Sequence, residues 1–186
     1  MKKLLLLALC ISIMTVLSAE AQRSESVISG FKLGVNASSL DSNANFAAFD
    51  DTRIGFHAGF FLEIPINKTL SFQPEIQYSA QGAKDENARL NYINVPLLLK
   101  INLAQSFSLH LGGQGSVKIW EFEQRETYNN FGYGAVGGIG INLSSALFVE
   151  GRYVYGLSNV LDDNNTLDIT EDVKNSYIQV SLGIRL

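Results

Sequence analysis

The feature that most constrains the fold is a two-residue alternation that recurs along most of the chain. In the last segment, KNSYIQVSLGIRL, apolar residues occupy every second position from Ile178 to Leu186. The same alternation runs through TLSFQPEIQYSAQG, residues 69–82. It is typical of a β-strand with one apolar and one polar face. Applied to the whole chain, it predicts eight strands, at about residues 27–37, 53–65, 69–82, 89–103, 106–119, 131–143, 146–158 and 174–186.

The connections between these strands alternate strictly between long and short. Three are tight, at Asn67-Lys68, Ala104-Gln105 and Ser144-Ser145, and four are longer, at about 38–52, 83–88, 120–130 and 159–173. This order predicts an antiparallel meander with tight turns at one end and long loops at the other. The strands are longer than the usual five or six residues and suit a tilted crossing of a bilayer. The predicted fold is all-β, an eight-stranded antiparallel up-and-down transmembrane β-barrel.

Residues 1–21 carry a different signal. Two lysines precede an apolar run from Leu4 to Leu17, and the small residues Ala19 and Ala21 follow it. This is the pattern of a cleavable secretory signal peptide. The run is too short for a transmembrane helix, which needs roughly 20 residues. We therefore expect residues 22–186 to form the barrel domain, exported through the periplasm to the outer membrane of a Gram-negative cell.

The composition of the mature chain limits its partners and its chemistry. The full sequence has 14 basic and 18 acidic residues; without Lys2, Lys3 and Glu20 these fall to 12 and 17, a net charge of −5. Nucleic acids select basic surfaces, so no nucleic-acid partner is expected. The one cysteine, Cys10, lies within the signal peptide, so neither a disulfide nor thiol chemistry is expected in the mature domain.

The polar strand faces carry large charged side chains at mid-strand positions. If the apolar faces contact lipid, strand parity directs these charges into the lumen of the barrel. The predicted lumen charge cluster consists of Lys32, Glu63, Glu75, Lys100, Lys118, Glu150, Arg152 and Arg185. Two functions fit it: a gated ion path, or a structural plug of paired charges. The plug is favoured, because eight strands enclose only enough space for side chains and isolated charges there would be costly.

Aromatic residues support the outward orientation of the apolar face. They occur towards the long-loop ends of their strands, where an aromatic girdle of a membrane barrel would lie. These residues are Tyr78, Phe131, Tyr133, Tyr153 and Tyr155. The alternative is a secreted, lipocalin-like barrel with its polar face outside.

Four segments resemble a known family. YINVPLLLK (92–100), GFHAGFFLEIPI (55–66), LSFQPEIQYSAQG (70–82) and GRYVYGLSNV (151–160) are similar to the small outer-membrane β-barrel, or porin-family, proteins of Bacteroidetes-type bacteria. The most specific block is Tyr-x-x-(Val/Ile)-Pro-Leu-Leu-x-Lys. The resemblance implies an eight-stranded barrel inserted into the outer membrane from the periplasm, with no known substrate or cofactor. Such barrels usually end in an aromatic residue, whereas this chain ends in Leu186.

Catalysis and metal binding find little support in the sequence. Ser108 and His110 share one strand face, but no third member of a Ser-His-acid site is evident, and His57 lies on a distant strand. The last long loop is acidic, yet the EF-hand pattern fails, because Leu167 and Val173 stand where it requires Gly and Glu. Loose binding of divalent cations near lipopolysaccharide stays as an alternative. No catalytic, cofactor-binding or metal-binding residue is predicted.

A glycine-rich strand and a proline need local explanations. The glycines at 132, 134, 137, 138 and 140 are interpreted as a thin strand that leaves room for bulky lumen side chains.

Pro96 lies at the centre of the fourth strand. Folding strands three and four about residues 85–86 places Pro96 opposite Glu75 and next to Pro74. We therefore predict a shared irregularity in the hydrogen-bond ladder there.

Together these features predict a small, monomeric, non-enzymatic outer-membrane barrel with a structural or loop-mediated interaction role. Its expected partners are the outer-membrane lipids and the barrel-insertion machinery. One alternative is a narrow-pore channel for ions or small solutes. The other is a membrane enzyme that modifies lipid A.

Overall fold

The computed structural model describes residues 26–41, 53–82, 89–121, 131–158 and 174–186. These residues form eight strands: β1 (Ile28–Asp41), β2 (Arg53–Pro65), β3 (Leu70–Gly82), β4 (Arg89–Asn102), β5 (Phe107–Glu121), β6 (Phe131–Asn142), β7 (Leu147–Gly156) and β8 (Lys174–Arg185). The predicted strands agree with these bounds to within a few residues. The largest difference is in β1, which continues to Asp41 because its last residues pair with β8. The predicted signal peptide and most of the four predicted long connections, including the whole of the acidic last one, lie outside the described residues.

The strands pair in chain order, and β1 also pairs with β8, which closes the sheet into a barrel. Lys32 of β1, for example, lies opposite Gly59 of β2 on one side and Gly183 of β8 on the other. Among the eight described strands, closure leaves no strand without a partner on either side, which is what a sheet needs in a medium without water. The prediction of an eight-stranded antiparallel barrel is confirmed. In the part of the chain described, no helix is long and apolar enough to cross a membrane.

The three short connections are tight hairpin turns held by backbone hydrogen bonds. The Ile66 N–H donates to the Leu70 carbonyl at 2.8 Å, and the Leu143 N–H donates to the Leu147 carbonyl at 2.9 Å. In the first turn the Asn67 side chain accepts two further backbone hydrogen bonds, as asparagine does in turns. Because β1 begins and β8 ends at this same end, we call it the tight-turn end.

The outer surface of the barrel is apolar on all eight strands. Alternate side chains of every strand point outward and are exposed, among them Phe31, Leu33, Ile54, Phe56, Ile76, Leu97, Leu111, Ile139, Leu147, Val180 and Leu182. Soluble proteins rarely expose apolar patches larger than a few hundred Å², whereas a membrane barrel needs such a belt against lipid. The lipocalin-like alternative required a polar outer face, so this pattern excludes it.

Aromatic side chains lie at the long-loop end of the outer face on β6 and β7. Phe131 and Tyr133 are 61% and 55% exposed at the start of β6. Tyr155 lies near the end of β7, with the Lys174 Nζ 5.9 Å from its ring centroid. This placement is that of an interfacial aromatic girdle.

The two prolines interrupt the hydrogen-bond ladder where the sequence predicted it. The β3–β4 pairs stop at Pro74–Leu97 and resume at Gln77–Asn94, so the rung that includes Pro96 is missing. The β2–β3 pairs also stop on one side of Pro74 and resume on the other. Both gaps follow from the missing N–H of proline. The register is the same before and after each gap, so the irregularity is local.

Glycines on the inner face make room for large lumen side chains. A Cβ on Gly138 would lie 2.7 Å from the Arg152 Cγ, and one on Gly140 would lie 2.6 Å from the Ser108 Oγ. The interpretation of the glycine-rich strand is therefore confirmed at these two positions. It was wrong for Gly137, which faces outward and whose added Cβ would meet a first atom only at 3.9 Å.

Candidate functional site

The lumen is the candidate site, because the polar face of each strand points into it. The structure divides seven of the eight predicted lumen charges into two groups and places the eighth apart from both. At mid-height are Lys32, Glu75, Glu150 and Arg152, which we call the central cluster; near the tight turns are Glu63, Lys100 and Arg185. Lys118 belongs to neither group. It is half-buried towards the long-loop end of β5, opposite Tyr92.

The central cluster is a quartet of two cations and two carboxylates. Arg152 donates to both Glu75 oxygens, at 2.8 and 2.6 Å, and to Glu150 at 2.8 Å. The Lys32 Nζ lies 2.6 Å from Glu75 and 3.2 Å from Glu150. All four residues are at most 4% exposed. The charges cancel, and each carboxylate contacts both cations, which offsets much of the cost of burying them.

The cluster bridges the whole cross-section of the barrel. Its members project from β1, β3 and β7, and His110 of β5 contacts it through Glu150, with Nδ1 to Oε2 at 3.0 Å. These four strands alternate around the barrel, so the side chains reach the centre from four sides. Gln73 and Gln77 donate further hydrogen bonds to Glu75. The lumen at this height is filled by side chains that hold one another in place.

A second charge group lies in the lumen near the tight turns. The Lys100 Nζ is 2.7 Å from the Glu63 Oε2, and the Arg185 Nε is 3.8 Å from the same oxygen. Arg185 also donates to the Asn142 side chain at 2.7 Å, and its guanidinium lies 4.8 Å from the Phe148 ring centroid. These contacts fix Arg185 although it is only half-buried.

Towards the long loops, amides and a tyrosine form hydrogen bonds across the lumen. The Tyr177 hydroxyl accepts from Gln114 at 2.8 Å and from Asn94 at 3.2 Å. Below it, Tyr177 packs with Leu98 and Val154 in a small buried apolar patch. Leu98, an apolar residue on the inner face of β4, therefore has apolar neighbours there.

Two cavities lie on opposite sides of the central cluster. The one towards the long loops has a volume of about 40 Å³ and is lined by Gln81, Gln114 and Tyr177, among others. The one at the tight-turn end, which we call the vestibule, has a volume of about 390 Å³. Its polar lining consists of Glu63, Lys68, Lys100, Asn102, Gln105, Asn142, Ser145 and Arg185.

The expectation that Ser108 and His110 lack an acidic partner was wrong. The Ser108 Oγ lies 3.0 Å from the His110 Nε2, and the His110 Nδ1 lies 3.0 Å from the Glu150 Oε2. Sequence reasoning missed Glu150 because it is 40 positions away, on a strand two places further round the barrel. Among the described residues, no group of three or more His, Cys, Asp or Glu side chains is arranged to hold a metal ion.

An apolar belt outside, a closed sheet and a polar, filled lumen define a class of protein, the small transmembrane β-barrels. The family model described as outer membrane protein beta-barrel domain matches residues 20–162. The chain belongs to this family, which implies a location in the outer membrane. A search of curated protein sequences gives no match.

Solved structures share the fold at low sequence identity. Neisserial surface protein A (NspA) aligns over 87% of this chain and 100% of its own, with a TM-score of 0.58 and 12% identity. Ail, the attachment invasion locus protein of Yersinia pestis, aligns over 86% of this chain and 98% of its own, with a TM-score of 0.52 and 15% identity. The complex of Ail with the heparin analogue sucrose octasulfate aligns over 87% and 100%, with a TM-score of 0.53 and 17% identity. At these identities the likeness concerns the fold alone.

Proposed function

We propose that the protein is a closed, monomeric outer-membrane barrel with a structural or loop-mediated role that requires no enzymatic step on lipid A. In this proposal residues 1–21 are a cleaved signal peptide, and residues 22–186 reach the outer membrane of a Gram-negative, Bacteroidetes-type cell through the barrel-insertion machinery. The sequence resemblance and the family membership support this route. The lipids of the outer membrane are then its constant partners.

The observation that carries the proposal is the central cluster. It fills the cross-section between the two cavities with side chains that are at most 4% exposed. A hydrated ion would have to separate Arg152 from two carboxylates to pass, and separating buried charges is costly. In this proposal the eight lumen charges serve mainly as a structural plug, and the functional surface is the set of long loops.

The charge of those loops indicates the kind of partner. Residues 42–52, 83–88, 122–130 and 159–173 contain 11 acidic and 2 basic residues, a net charge of −9. The structure of Ail holds a sulfated, anionic ligand. Because like charges repel, we propose that these acidic loops do not bind an anionic ligand of that kind directly. They contact a cationic partner instead, or anionic lipopolysaccharide through divalent cations.

The sealed lumen predicts that the purified protein conducts no ions steadily in a planar bilayer. We expect a silent membrane for the wild type, with insertion confirmed by a heat-dependent gel shift on recovered protein. The double variant Glu75→Ala/Arg152→Ala removes one charge pair at the centre and should open intermittent conductance. Steady conductance of the wild type would instead establish the narrow-pore channel.

The acidic loops predict preferential binding of polycations. In lipid nanodiscs, wild-type protein should bind a lysine-rich peptide and leave heparin unbound. Neutralising Asp162, Asp163, Asp168, Glu171 and Asp172 to the corresponding amides should weaken peptide binding at least about tenfold, because each surface pair contributes a few tenths of a kcal/mol or more. The lumen variant Gln179→Ala is the control and should bind as the wild type does. Equal binding by the loop variant would contradict a role for this loop.

A further inference from the structure

Ser108, His110 and Glu150 are arranged as the three members of a nucleophilic serine site. In such a site a histidine accepts the serine proton on one ring nitrogen, while a carboxylate holds a proton on the other. Here the Ser108 Oγ is 3.0 Å from Nε2 and the Glu150 Oε2 is 3.0 Å from Nδ1. The Arg152 Nη2 lies 3.5 Å from the same Nδ1, so Glu150 is its closer partner. The carboxylate therefore fixes the proton on Nδ1 and leaves Nε2 free to act as a base.

A second Ser-His pair in the same lumen lacks the acid. The His57 Nε2 lies 2.9 Å from the Ser181 Oγ, so the first contact is as short as that of Ser108. Within the described residues, however, the buried His57 Nδ1 has no hydrogen-bond partner. No hydrogen bond at Nδ1 among the described residues then fixes the tautomer of His57. The two Ser-His pairs are therefore alike in their Ser-His contact, but only His110 of the two histidines also contacts a carboxylate.

Ser108 lies next to the vestibule. It follows the tight turn 103–106 and pairs with Asn102 on β4, and His110 pairs with Lys100. Both of these partners line the vestibule. The vestibule has a volume of about 390 Å³, within the range of roughly 300–1,000 Å³ that is usual for sites of small molecules. Ser108 itself is 4% exposed, so a small ligand that enters from the tight-turn end reaches its hydroxyl only when the side chains that line the vestibule move aside.

We propose that Ser108, His110 and Glu150 form a nucleophilic serine site that acts on small carboxylic esters entering from the tight-turn end. The Ser108 Oγ bonds to the ester carbonyl carbon, and its proton passes to the His110 Nε2. The carbon–oxygen bond to the alcohol then breaks, and the alcohol leaves with that proton. Water next attacks the acyl-serine by the same route and releases the acid. This activity is separate from the loop-mediated role at the opposite end of the barrel.

The test uses diisopropyl fluorophosphate on the mature protein in detergent micelles, read by intact mass. Reaction joins the Ser108 Oγ to phosphorus and releases fluoride and the serine proton. We expect one adduct on the wild type, located to the peptide that contains Ser108. The adduct should persist in Ser181→Ala and be absent in Ser108→Ala, with a heat-dependent gel shift showing that both variants are folded.

Turnover is read with p-nitrophenyl butyrate. Wild type and Ser181→Ala should hydrolyse it at equal rates. The hydrolysis rate of Ser108→Ala should be lower by at least about a hundredfold, because the nucleophile is missing. His110→Gln, which cannot act as a base, should lose both labelling and turnover. No adduct on folded wild-type protein, or an adduct that survives Ser108→Ala, would overturn the proposal.

Discussion

Replacing Arg152 by methionine is expected to destabilise the folded barrel by about 3–5 kcal/mol, the usual cost of removing one partner from a buried ion pair. Arg152 donates to both oxygens of Glu75 and to Glu150 within 2.6–2.8 Å. Without it, two carboxylates less than 5% exposed share Lys32 alone. The free energy of unfolding in urea, measured in lipid vesicles, reports the loss.

A second substitution separates charge imbalance from lost packing. In Arg152→Met/Glu75→Met the remaining pair, Lys32 and Glu150, is still neutral, with its atoms 3.2 Å apart. Because apolar replacement of a whole buried pair is often close to neutral, this double variant should recover most of the stability lost by Arg152→Met. A single variant that costs less than about 1 kcal/mol, as surface pairs do, would show that the cluster does not hold the lumen together.

Placing an arginine on the outer face at mid-strand is expected to cost about 2–4 kcal/mol if that face lies at the middle of a bilayer. Val180 is 48% exposed and lies halfway along β8, between Lys174 at the long-loop end and Arg185 at the tight-turn end. Val180→Arg should lower the free energy of unfolding from vesicles by this amount. The physical reason is the cost of a charge surrounded by hydrocarbon.

The control for Val180→Arg is the same substitution at a position closer to the membrane interface. Ile54 is 78% exposed on the same outer face, but at the long-loop end of β2. Ile54→Arg should therefore cost only about 0–1 kcal/mol, as near-interface positions do. If both variants were equally stable, the outer face would be in water and the membrane account would be wrong.

The sequence predicted the strands and their faces well, because both depend on local patterns. Alternation of period two places Leu97 outside and Lys100 inside without any knowledge of the closed barrel. The tight turns fix the register of their hairpins, and folding two strands about one point was enough to place Pro96 beside Pro74. Strand faces and hairpin registers could be predicted because they depend only on residues close in the chain or on strands that follow each other.

Contacts across the lumen could not be predicted in the same way. That Arg152 of β7 meets Glu75 of β3 depends on how closure of the barrel staggers opposite strands. Strand parity gave the inward direction of both side chains but not their height. For the same reason Glu150 was not recognised as the partner of His110, although all three members of that site point inward by parity.

One fluorescence measurement tests directly whether the apolar outer face of the barrel lies in lipid. A tryptophan at Val180, introduced in a Trp120→Phe background, would be the only tryptophan of the chain. The neighbour of residue 180 on β7 is Gly151. A Cβ added to Gly151 would meet no atom within 4 Å, so there is room for the indole at position 180. In vesicles of lipids brominated at mid-chain, we predict strong quenching of its emission. Emission equal to that in unbrominated vesicles would contradict the account.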